Sequence, residues 1–203
     1  MRIAILGAGN VGTALGRRFA EVGHEVVFGV RDPERARDGL AGLPVTTNRE
    51  ATSRAEVVVL AVPFGAVEAA VDGCDLDGKI VVDATNPLTM TEKGLALTAG
   101  FDTSGAEQVA AAIPGAKIVK CFNSTGYANM TDASGSMMFA CGDDPDATEI
   151  VRKLAEEIGF EAVAIGDLTK ARLLEPLALL WIQLAFTTDL KRDFAFRIER
   201  RKK

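Results

Sequence analysis

Three glycines near the amino terminus have the spacing of a phosphate-binding turn. They lie in the stretch GAGNVG, which follows an apolar run and precedes a helical pattern. The first glycine of such a turn permits a sharp bend, the second lets backbone approach a pyrophosphate, and the third lets helix and strand pack closely. Unpaired N–H groups and the dipole at the helix start favour the negative phosphates. The pattern predicts a dinucleotide site made by Gly7, Gly9, Asn10, Val11 and Gly12.

The end of the second predicted strand bears on which dinucleotide is bound. An NAD site has Asp or Glu about 20 residues after the glycines, where it binds the ribose 2′-hydroxyl. Val30 and Arg31 occupy this place, and Arg35 follows one helical turn later. Because a guanidinium donates paired hydrogen bonds and stays charged, Arg31 and Arg35 favour a 2′-phosphate and therefore NADP(H). The alternative is NAD(H), with Asp32 on the ribose if the strand ends slightly later.

Three further loops follow predicted strands. In a doubly wound sheet, ligands bind outside the carboxyl ends of the strands, near the point where the strand order reverses. Residues 61–64, 85–87 and 123–127 meet this criterion. The residues assigned to the cofactor from the first two loops are Ala61, Val62, Pro63, Thr85, Asn86 and Pro87.

Few side chains in these loops can act as acids or bases. The single histidine, His24, lies at the amino end of a strand, away from the binding edge, and is interpreted as structural. We find no Ser/His/Asp set, metal-ligand cluster or catalytic lysine motif, so no metal is expected. If a polar side chain assists the chemistry, Asn123 is the first candidate and Tyr127 the second.

This inventory favours an oxidoreductase that transfers hydride between nicotinamide and a second redox cofactor or small organic acceptor. Such a reaction needs no protein acid, because the cofactors carry the chemistry. A carbonyl dehydrogenase fits less well, since it generally requires a proton donor. The alternative function is an NADP(H)-binding sensor or partner module without turnover.

Strand and helix patterns alternate along most of the chain, which predicts a Rossmann-like, doubly wound and mostly parallel α/β sheet. The expected strands are residues 3–6, 25–29, 44–46, 56–62, 79–83, 116–122, 137–141 and 161–165. The expected helices are residues 13–22, 33–40, a helix capped by Ser104 with Glu107 three residues later, and 145–158. Residues 89–103 are expected to form a long loop, and residues 126–136 an irregular segment.

The carboxyl-terminal part departs from this alternation. One long apolar helix is expected from Thr169 to about Thr188, and period-two alternation predicts a final strand at residues 194–198. Residues 1–168 are expected to form an NADP-binding Rossmann domain. Residues 169–203 are expected to be a small helix-and-strand extension of the same compact unit.

The apolar residues of the long helix cover more than the single stripe that a surface helix needs. The helix either lies wholly within the core or buries part of its face against a second subunit. The breadth of the face, from Leu173 to Phe186, favours a two-fold symmetric homodimer whose partner helps to close the site.

The composition, with 48% hydrophobic and 25% charged residues, is that of an ordinary globular protein. The net charge of −5 argues against a nucleic-acid partner, which needs a cationic surface. The three cysteines have no CxxC spacing and are expected to be reduced thiols of a cytoplasmic protein. The longest apolar stretch is shorter than the ~20 residues of a membrane span, so no membrane partner is expected.

Six segments occur in an order that resembles a known family. They are GAGNVG, GVRDPER, LAVPFGAV, VVDATNPL, KCFNSTGYANM and LLEPLALLWIQLA. Together they resemble the NADPH-dependent oxidoreductases of the deazaflavin-coenzyme:NADP reductase type over nearly the full chain. The cytosolic domains of the six-transmembrane metalloreductases are similar.

The resemblance implies NADP(H) as cofactor, with a deazaflavin or flavin as co-substrate. In that family the glycine loop holds pyrophosphate, and a Ser-Arg pair with a following basic residue holds the 2′-phosphate. Val30 stands at the serine position, while Arg31 and Arg35 match the basic positions. The segment around Asn123 stands where the deazaflavin reductases have a histidine-bearing segment.

Overall fold

The computed structural model describes residues 1–36, 40 and 42–201. Its strands and helices alternate, as the sequence predicts. The strands are β1 Arg2–Leu6, β2 Glu25–Val30, β3 Val45–Thr47, β4 Val57–Leu60, β5 Ile80–Asp83, β6 Leu88–Thr91, β7 Gly94–Leu97, β8 Lys117–Lys120, β9 Met137–Gly142 and β10 Glu161–Ala164. The helices are α1 Asn10–Glu21, α2 Pro33–Ala36, α3 Asn48–Ser53, α4 Val67–Val71, α5 Gly105–Ala112, α6 Tyr127–Thr131, α7 Pro145–Glu157 and α8 Ala171–Thr187.

Eight strands form one sheet in the order β10-β9-β8-β5-β4-β1-β2-β3. Strands β3, β2, β1, β4, β5 and β8 pair in parallel, so the predicted Rossmann-like, mostly parallel fold is confirmed. The chain order reverses at β1 and β4, and ligands bind beside this point in such sheets. Strand β10 is parallel to β9, but β9 is antiparallel to β8, so the last predicted parallel strand runs opposite to the first six.

Two apolar clusters cover the two faces of this sheet. On one face, Leu15 and Phe19 of α1 and Val151 of α7 are fully buried. On the other, Val109 of α5 and Leu174 of α8 are almost fully buried. Each such side chain stabilises the fold by about 1.5–3 kcal/mol, so the helices hold the strand ends in fixed positions.

The prediction of an unstructured loop at residues 89–103 is wrong. Strands β6 and β7 form an antiparallel hairpin, in which the Thr91 hydroxyl donates to the Gly94 carbonyl over 2.8 Å. Gly94 has a φ of +107°, which a residue with a side chain rarely adopts. The hairpin buries neither face fully, so its sequence lacks the period-two pattern that predicts strands.

Several other boundaries differ from expectation, most of them by one or two residues. Helix α1 begins at Asn10 instead of Thr13, and residues 127–131 form the short helix α6 inside the segment predicted to be irregular. Of the predicted helix at residues 33–40, the described part is helical to Ala36, while residues 37–39 lie outside the described ranges.

The tail at residues 194–198 is not a strand, which corrects the prediction. Its backbone makes one bond to the sheet, from the Met137 N–H to the Phe196 carbonyl over 2.9 Å. The alternating phenylalanines have another cause, because Phe194 stacks on Trp181 with ring centroids 5.1 Å apart. Among the described residues, no helix has the length and apolar character needed to cross a membrane.

The three cysteines differ in accessibility, which gives a first testable prediction. Cys121 and Cys141 are fully buried, whereas Cys74 is partly exposed. Burial raises the pKa of both inner thiols, that of Cys141 to about 12. Since the thiolate is the reactive form, a disulfide reagent at pH 8 should titrate one thiol in the native protein and three after denaturation. Rapid modification of three native thiols would contradict the burial of Cys121 and Cys141.

Candidate active site

The glycine loop has the geometry of the predicted dinucleotide turn. Gly7 has a φ of +109°, and a Cβ there would lie 2.5 Å from the Ala61 carbonyl oxygen. A Cβ on Gly12 would lie 2.0 Å from the Gly7 carbonyl oxygen. Both positions therefore exclude any side chain. At Gly7 the backbone angle and the Ala61 carbonyl prevent one, and at Gly12 the close packing of the helix on the turn does so.

Gly9 differs from its two neighbours, because a Cβ there would meet no protein atom within 4 Å. The open space lies at the start of α1, whose first turn has no side-chain cap and no acidic residue. The first amides of a helix have no partner within it, so N–H groups and positive dipole meet at this space. The residues at this turn thus fit a pyrophosphate.

Arg31 follows the last residue of β2 and lines a cavity of about 310 Å³ beside the glycine loop. Arg35 is also exposed but does not line this cavity. The strand ends at Val30, one residue beyond the prediction, yet the Asp32 carboxylate accepts the Arg35 backbone N–H at 3.4 Å and caps α2. A basic side chain, and not this carboxylate, therefore lines the smaller cavity beside the glycine loop.

Asn48 is a residue of this cavity that the sequence analysis missed. Its Nδ2 donates to the Ala70 carbonyl over 2.8 Å. Its Oδ1 is buried and has no hydrogen-bond partner among the described residues. No motif marks Asn48, since it looks like the ordinary start of a helix.

A second cavity of about 650 Å³ extends from the glycine loop to α8. Its volume lies in the usual range for small-molecule sites. The predicted site residues that line it are Gly9, Asn10, Val11, Ala61, Val62, Pro63, Asn86, Asn123 and Tyr127. The sheet edge thus brings together loops that follow β1, β4, β5 and β8, as expected for a switch-point site.

Thr85 and Pro87, which we also assigned to the cofactor, do not line either cavity. The buried Thr85 hydroxyl donates to Asp83 Oδ1 over 2.7 Å. The Pro87 carbonyl accepts the Thr98 N–H over 2.7 Å, which joins the strand end to the hairpin. Both residues lie behind Asn86 and hold its loop.

Asn86 and Asn123 fasten two strand-end loops to each other. The Asn86 Nδ2 donates to the Asn123 carbonyl, and the Asn123 Nδ2 donates to Asn86 Oδ1, both over 3.0 Å. Asn123 Nδ2 also donates to the Leu174 carbonyl of α8 over 3.1 Å. The Asn123 Oδ1 is buried without a hydrogen-bond partner in the described chain, while other atoms of the residue line the larger cavity.

The residue before Asn123 has an unusual backbone. Phe122 has a φ of +61°, in the left-handed region that phenylalanine rarely adopts, and its side chain is 1% exposed. Such strain persists where the surrounding packing enforces it, and it is frequent at functional sites. Here it turns the chain sharply between β8 and the Asn123 loop.

A buried ionic network supports these loops and was missed by the sequence analysis. Lys120 Nζ donates to Asp83 Oδ2 over 3.0 Å and to Glu175 Oε1 over 2.9 Å. It also donates to the Thr85 carbonyl over 2.7 Å, which uses all three of its hydrogens. Although burial lowers the pKa of Lys120, the charges of Asp83 and Glu175 outweigh it and raise the pKa.

Glu175 extends this network to a helix. Its carboxylate accepts the backbone N–H groups of Gly105 and Ala106, over 2.9 and 3.1 Å, at the start of α5. The network therefore ties the ends of β5 and β8 to α5 and α8. Three charged residues in apolar surroundings could have indicated this network in the sequence. Asp83 and Lys120 each end an apolar strand, and Glu175 lies within an apolar helix.

The part of the cavity formed by α8 is aromatic and aliphatic. Trp181, Ile182 and Phe186 line it. Trp181 presses against Gly126, where a Cβ would lie 2.4 Å from the ring, and its Nε1 donates to the Phe194 carbonyl over 3.2 Å. Trp181 is thus fixed in position, and this apolar wall suits a planar ring.

His24 lies away from both cavities, as predicted. The amino-terminal ammonium of Met1 donates to Nδ1 over 3.2 Å, and Nε2 donates to Glu157 over 2.8 Å. In the described part of the chain, no three His, Cys, Asp or Glu side chains are grouped closely enough to hold a metal ion.

Comparison with known proteins agrees with this geometry. Residues 2–87 match the family described as NADP oxidoreductase coenzyme F420-dependent. The F420-dependent NADP reductase of Methanothermobacter marburgensis is 33% identical over 207 residues, which cover 91% of this chain and 92% of that protein. The Rattus norvegicus metalloreductase STEAP3 is 33% identical over 186 residues, 88% of this chain but 36% of that protein.

A solved structure shows the same architecture over the whole chain. It is a protein of Arthrobacter sp. FB24 proposed to be an F420-dependent NADP reductase, with 30% identity and a TM-score of 0.89 over 98% of this chain and 100% of its own. These findings confirm the resemblance seen in the sequence, and the protein is an NADP(H)-dependent oxidoreductase. The chain belongs to the family of F420-dependent NADP reductases.

Proposed function

We propose that the protein transfers hydride between NADP(H) and a deazaflavin of the coenzyme F420 type. The observation that carries this proposal is the 650 Å³ cavity, which continues from the glycine loop into the aromatic wall of α8. One part suits the nicotinamide end of the dinucleotide, and the other suits a second planar ring. The names of the relatives from Methanothermobacter support the choice of deazaflavin.

In this proposal the protein binds and orients two rings. The amides at the start of α1 hold the pyrophosphate, and Arg31, which lines the smaller cavity, holds the 2′-phosphate. Arg35, exposed one helical turn later and outside that cavity, is proposed as a second cation for the same phosphate. Asn123 is the proposed catalytic residue, since it lines the cavity where the rings meet and its Nδ2 bonds to Asn86 and Leu174 fix its position there. Trp181 and Phe186 exclude water from the ring faces. The bound pair supplies the hydride chemistry itself.

The test is NADPH oxidation with a panel of coenzyme F420, flavins, quinones and ferric chelates. Rapid turnover with the deazaflavin and slow turnover with the others would support the proposal. Tight NADPH binding without turnover of any acceptor would favour a binding module instead. An Asn123→Asp variant, which keeps the size of the side chain but removes the Nδ2 donor, should lower kcat more than it changes the NADPH Kd.

Replacing Arg31 with alanine should narrow the preference for NADPH over NADH. Because only NADPH carries the 2′-phosphate, its Kd should rise roughly ten- to a hundredfold while that of NADH stays unchanged. Titration of each nucleotide against the variant measures this. The matched control is Arg54→Ala, an exposed arginine that lines neither cavity. Equal affinities of the parent protein for both nucleotides would contradict the role of Arg31.

We further propose a two-fold symmetric homodimer with α8 at or near its interface. The face of α8 that packs inward carries Leu174, Glu175 and Trp181, whereas Leu173 and Leu180 are 60% and 49% exposed. Leu177 and Leu184 are half-buried on the same outer side, so an apolar stripe runs along the helix. Exposed apolar stripes of this kind mark interaction surfaces.

Analytical ultracentrifugation at low micromolar concentration should give twice the chain mass of 21.5 kDa. A Leu180→Glu variant should sediment as a monomer, because it places a charge in the apolar stripe. A monomeric parent protein would contradict the dimer.

We also propose that residues 1–168 and 169–203 form one compact unit and that the protein is cytoplasmic. The Glu175 bonds to α5 support the first proposal, and the free thiols support the second.

A further inference from the structure

Arg192 lies beside the aromatic wall of the larger cavity. It is exposed, and its guanidinium carbon lies 5.0 Å from the centroid of the Phe186 ring. Both side chains line the cavity. A guanidinium above an aromatic face is attracted by the ring, which favours one orientation of an otherwise mobile side chain.

Arg192 is the one cationic side chain among the described residues that line this cavity. Asp193 also lines the cavity, and its negative charge offsets that of Arg192 at a distance. An anion is therefore bound favourably only where it contacts the guanidinium directly. The start of α1 already supplies donors for pyrophosphate at the glycine loop. Arg192 therefore adds a separate anion-binding group to the cavity.

The position of Arg192 relative to the reacting rings follows from α8. Asn123 bonds to the carbonyl of Leu174, near the start of this helix. Phe186 lies twelve residues further along, which corresponds to about 18 Å of helix. Arg192 thus lies near the opposite end of α8 from the Asn86–Asn123 pair, where a remote substituent of a bound molecule would meet it.

We propose that Arg192 selects acceptors that carry an anionic group on a side chain remote from the reacting ring. This inference rests on the proposed function and specifies the substrate class of the same site. The guanidinium donates paired hydrogen bonds to carboxylate or phosphate oxygens, while Phe186 holds it in place. The ring of the acceptor packs against Trp181, which lines the same cavity.

The experiment compares two acceptors that share one ring system. Coenzyme F420 has an anionic side chain, and its side-chain-free deazaflavin chromophore does not. Binding to the NADP⁺-loaded protein is measured by quenching of Trp181, the single tryptophan of the chain, and KM is measured in turnover. In the Arg192→Ala variant, Kd and KM for coenzyme F420 should rise about tenfold or more, and those for the chromophore should stay unchanged.

Two control variants sharpen the result. Arg192→Lys should restore part of the affinity for coenzyme F420, because it keeps the charge but loses the planar fork. Arg197→Ala removes a charge from the same tail outside the cavity and should change nothing. Equal weakening of both acceptors, or weakening of NADPH binding, would overturn the role of Arg192. Failure of the parent protein to bind or reduce either deazaflavin would overturn the proposed function as well.

Discussion

A Gly9→Val variant is expected to lose NADPH binding while keeping its fold. The backbone of Gly9, with φ −77° and ψ −174°, is one that valine adopts readily. No protein atom lies within 4 Å of the added Cβ, so the native structure accepts it. The side chain would instead fill the space where the pyrophosphate meets the start of α1. Losing two charge-assisted hydrogen bonds of about 1.5–3 kcal/mol each weakens binding more than about a hundredfold.

The measurement is nucleotide titration together with thermal unfolding. Gly9→Val should bind NADPH weakly with an unchanged Tm. Gly12→Ala is the matched contrast, because its Cβ would lie 2.0 Å from the Gly7 carbonyl oxygen and should lower the Tm itself. If Gly9→Val bound NADPH normally, the pyrophosphate would not lie at this turn.

A Lys120→Met variant is expected to lose much of its stability. The side chain is fully buried between Asp83 and Glu175, so the substitution leaves two buried carboxylates without their cation. Breaking a buried ionic network in this way costs about 3–5 kcal/mol of the free energy of unfolding. Urea unfolding measures the loss. Lys117→Met on the same strand removes an exposed pair with Asp144 and should have a far smaller effect.

The contribution of Lys120 also depends on pH. Its pKa is raised in the folded protein, so its stabilisation is complete below the ordinary lysine value of about 10.4. The stabilisation is lost as the pH rises through the higher folded-state pKa. The difference in unfolding free energy between the parent protein and Lys120→Met should therefore narrow in strongly alkaline solution. A difference that widened with pH would contradict the sign of this shift.

The sequence predicted those parts of the fold that have a local physical signature. The glycine turn, the apolar run of β4 and the Ser104 cap each leave a pattern in neighbouring residues, and each is found in place. The hairpin β6–β7 left none, because it is held by its own turn and ladder with both faces partly exposed. The tail has the period-two pattern of a strand for another reason: Phe194 stacks on Trp181, and Phe196 packs edge-on against Phe194.

The candidate site likewise contains residues that a local sequence pattern indicates and residues that it does not. The strand-end rule located Asn86 and Asn123, because the carboxyl ends of parallel strands meet at one edge. Lys120 and Glu175 are far apart in sequence, and only the packing of α8 over β8 brings them within 2.9 Å. Arg192 reaches the cavity through a tail whose path depends on Trp181. Contacts of this kind have no signature in any short segment.

The nucleotide part and the acceptor part of the large cavity also differ in how many substitutions they tolerate. The nucleotide part depends on backbone shape and on Gly7 and Gly12, where a side chain has no room, so few substitutions there leave the turn intact. In the proposed arrangement, much of the acceptor part beyond the Asn123 loop is made by side chains of α8 and the tail after it, which lie outside the eight-stranded sheet. Under the proposed function, substitutions confined to this last segment of the chain would therefore change which acceptor fits. The glycine turn and its hold on NADP(H) would pass through such a change intact.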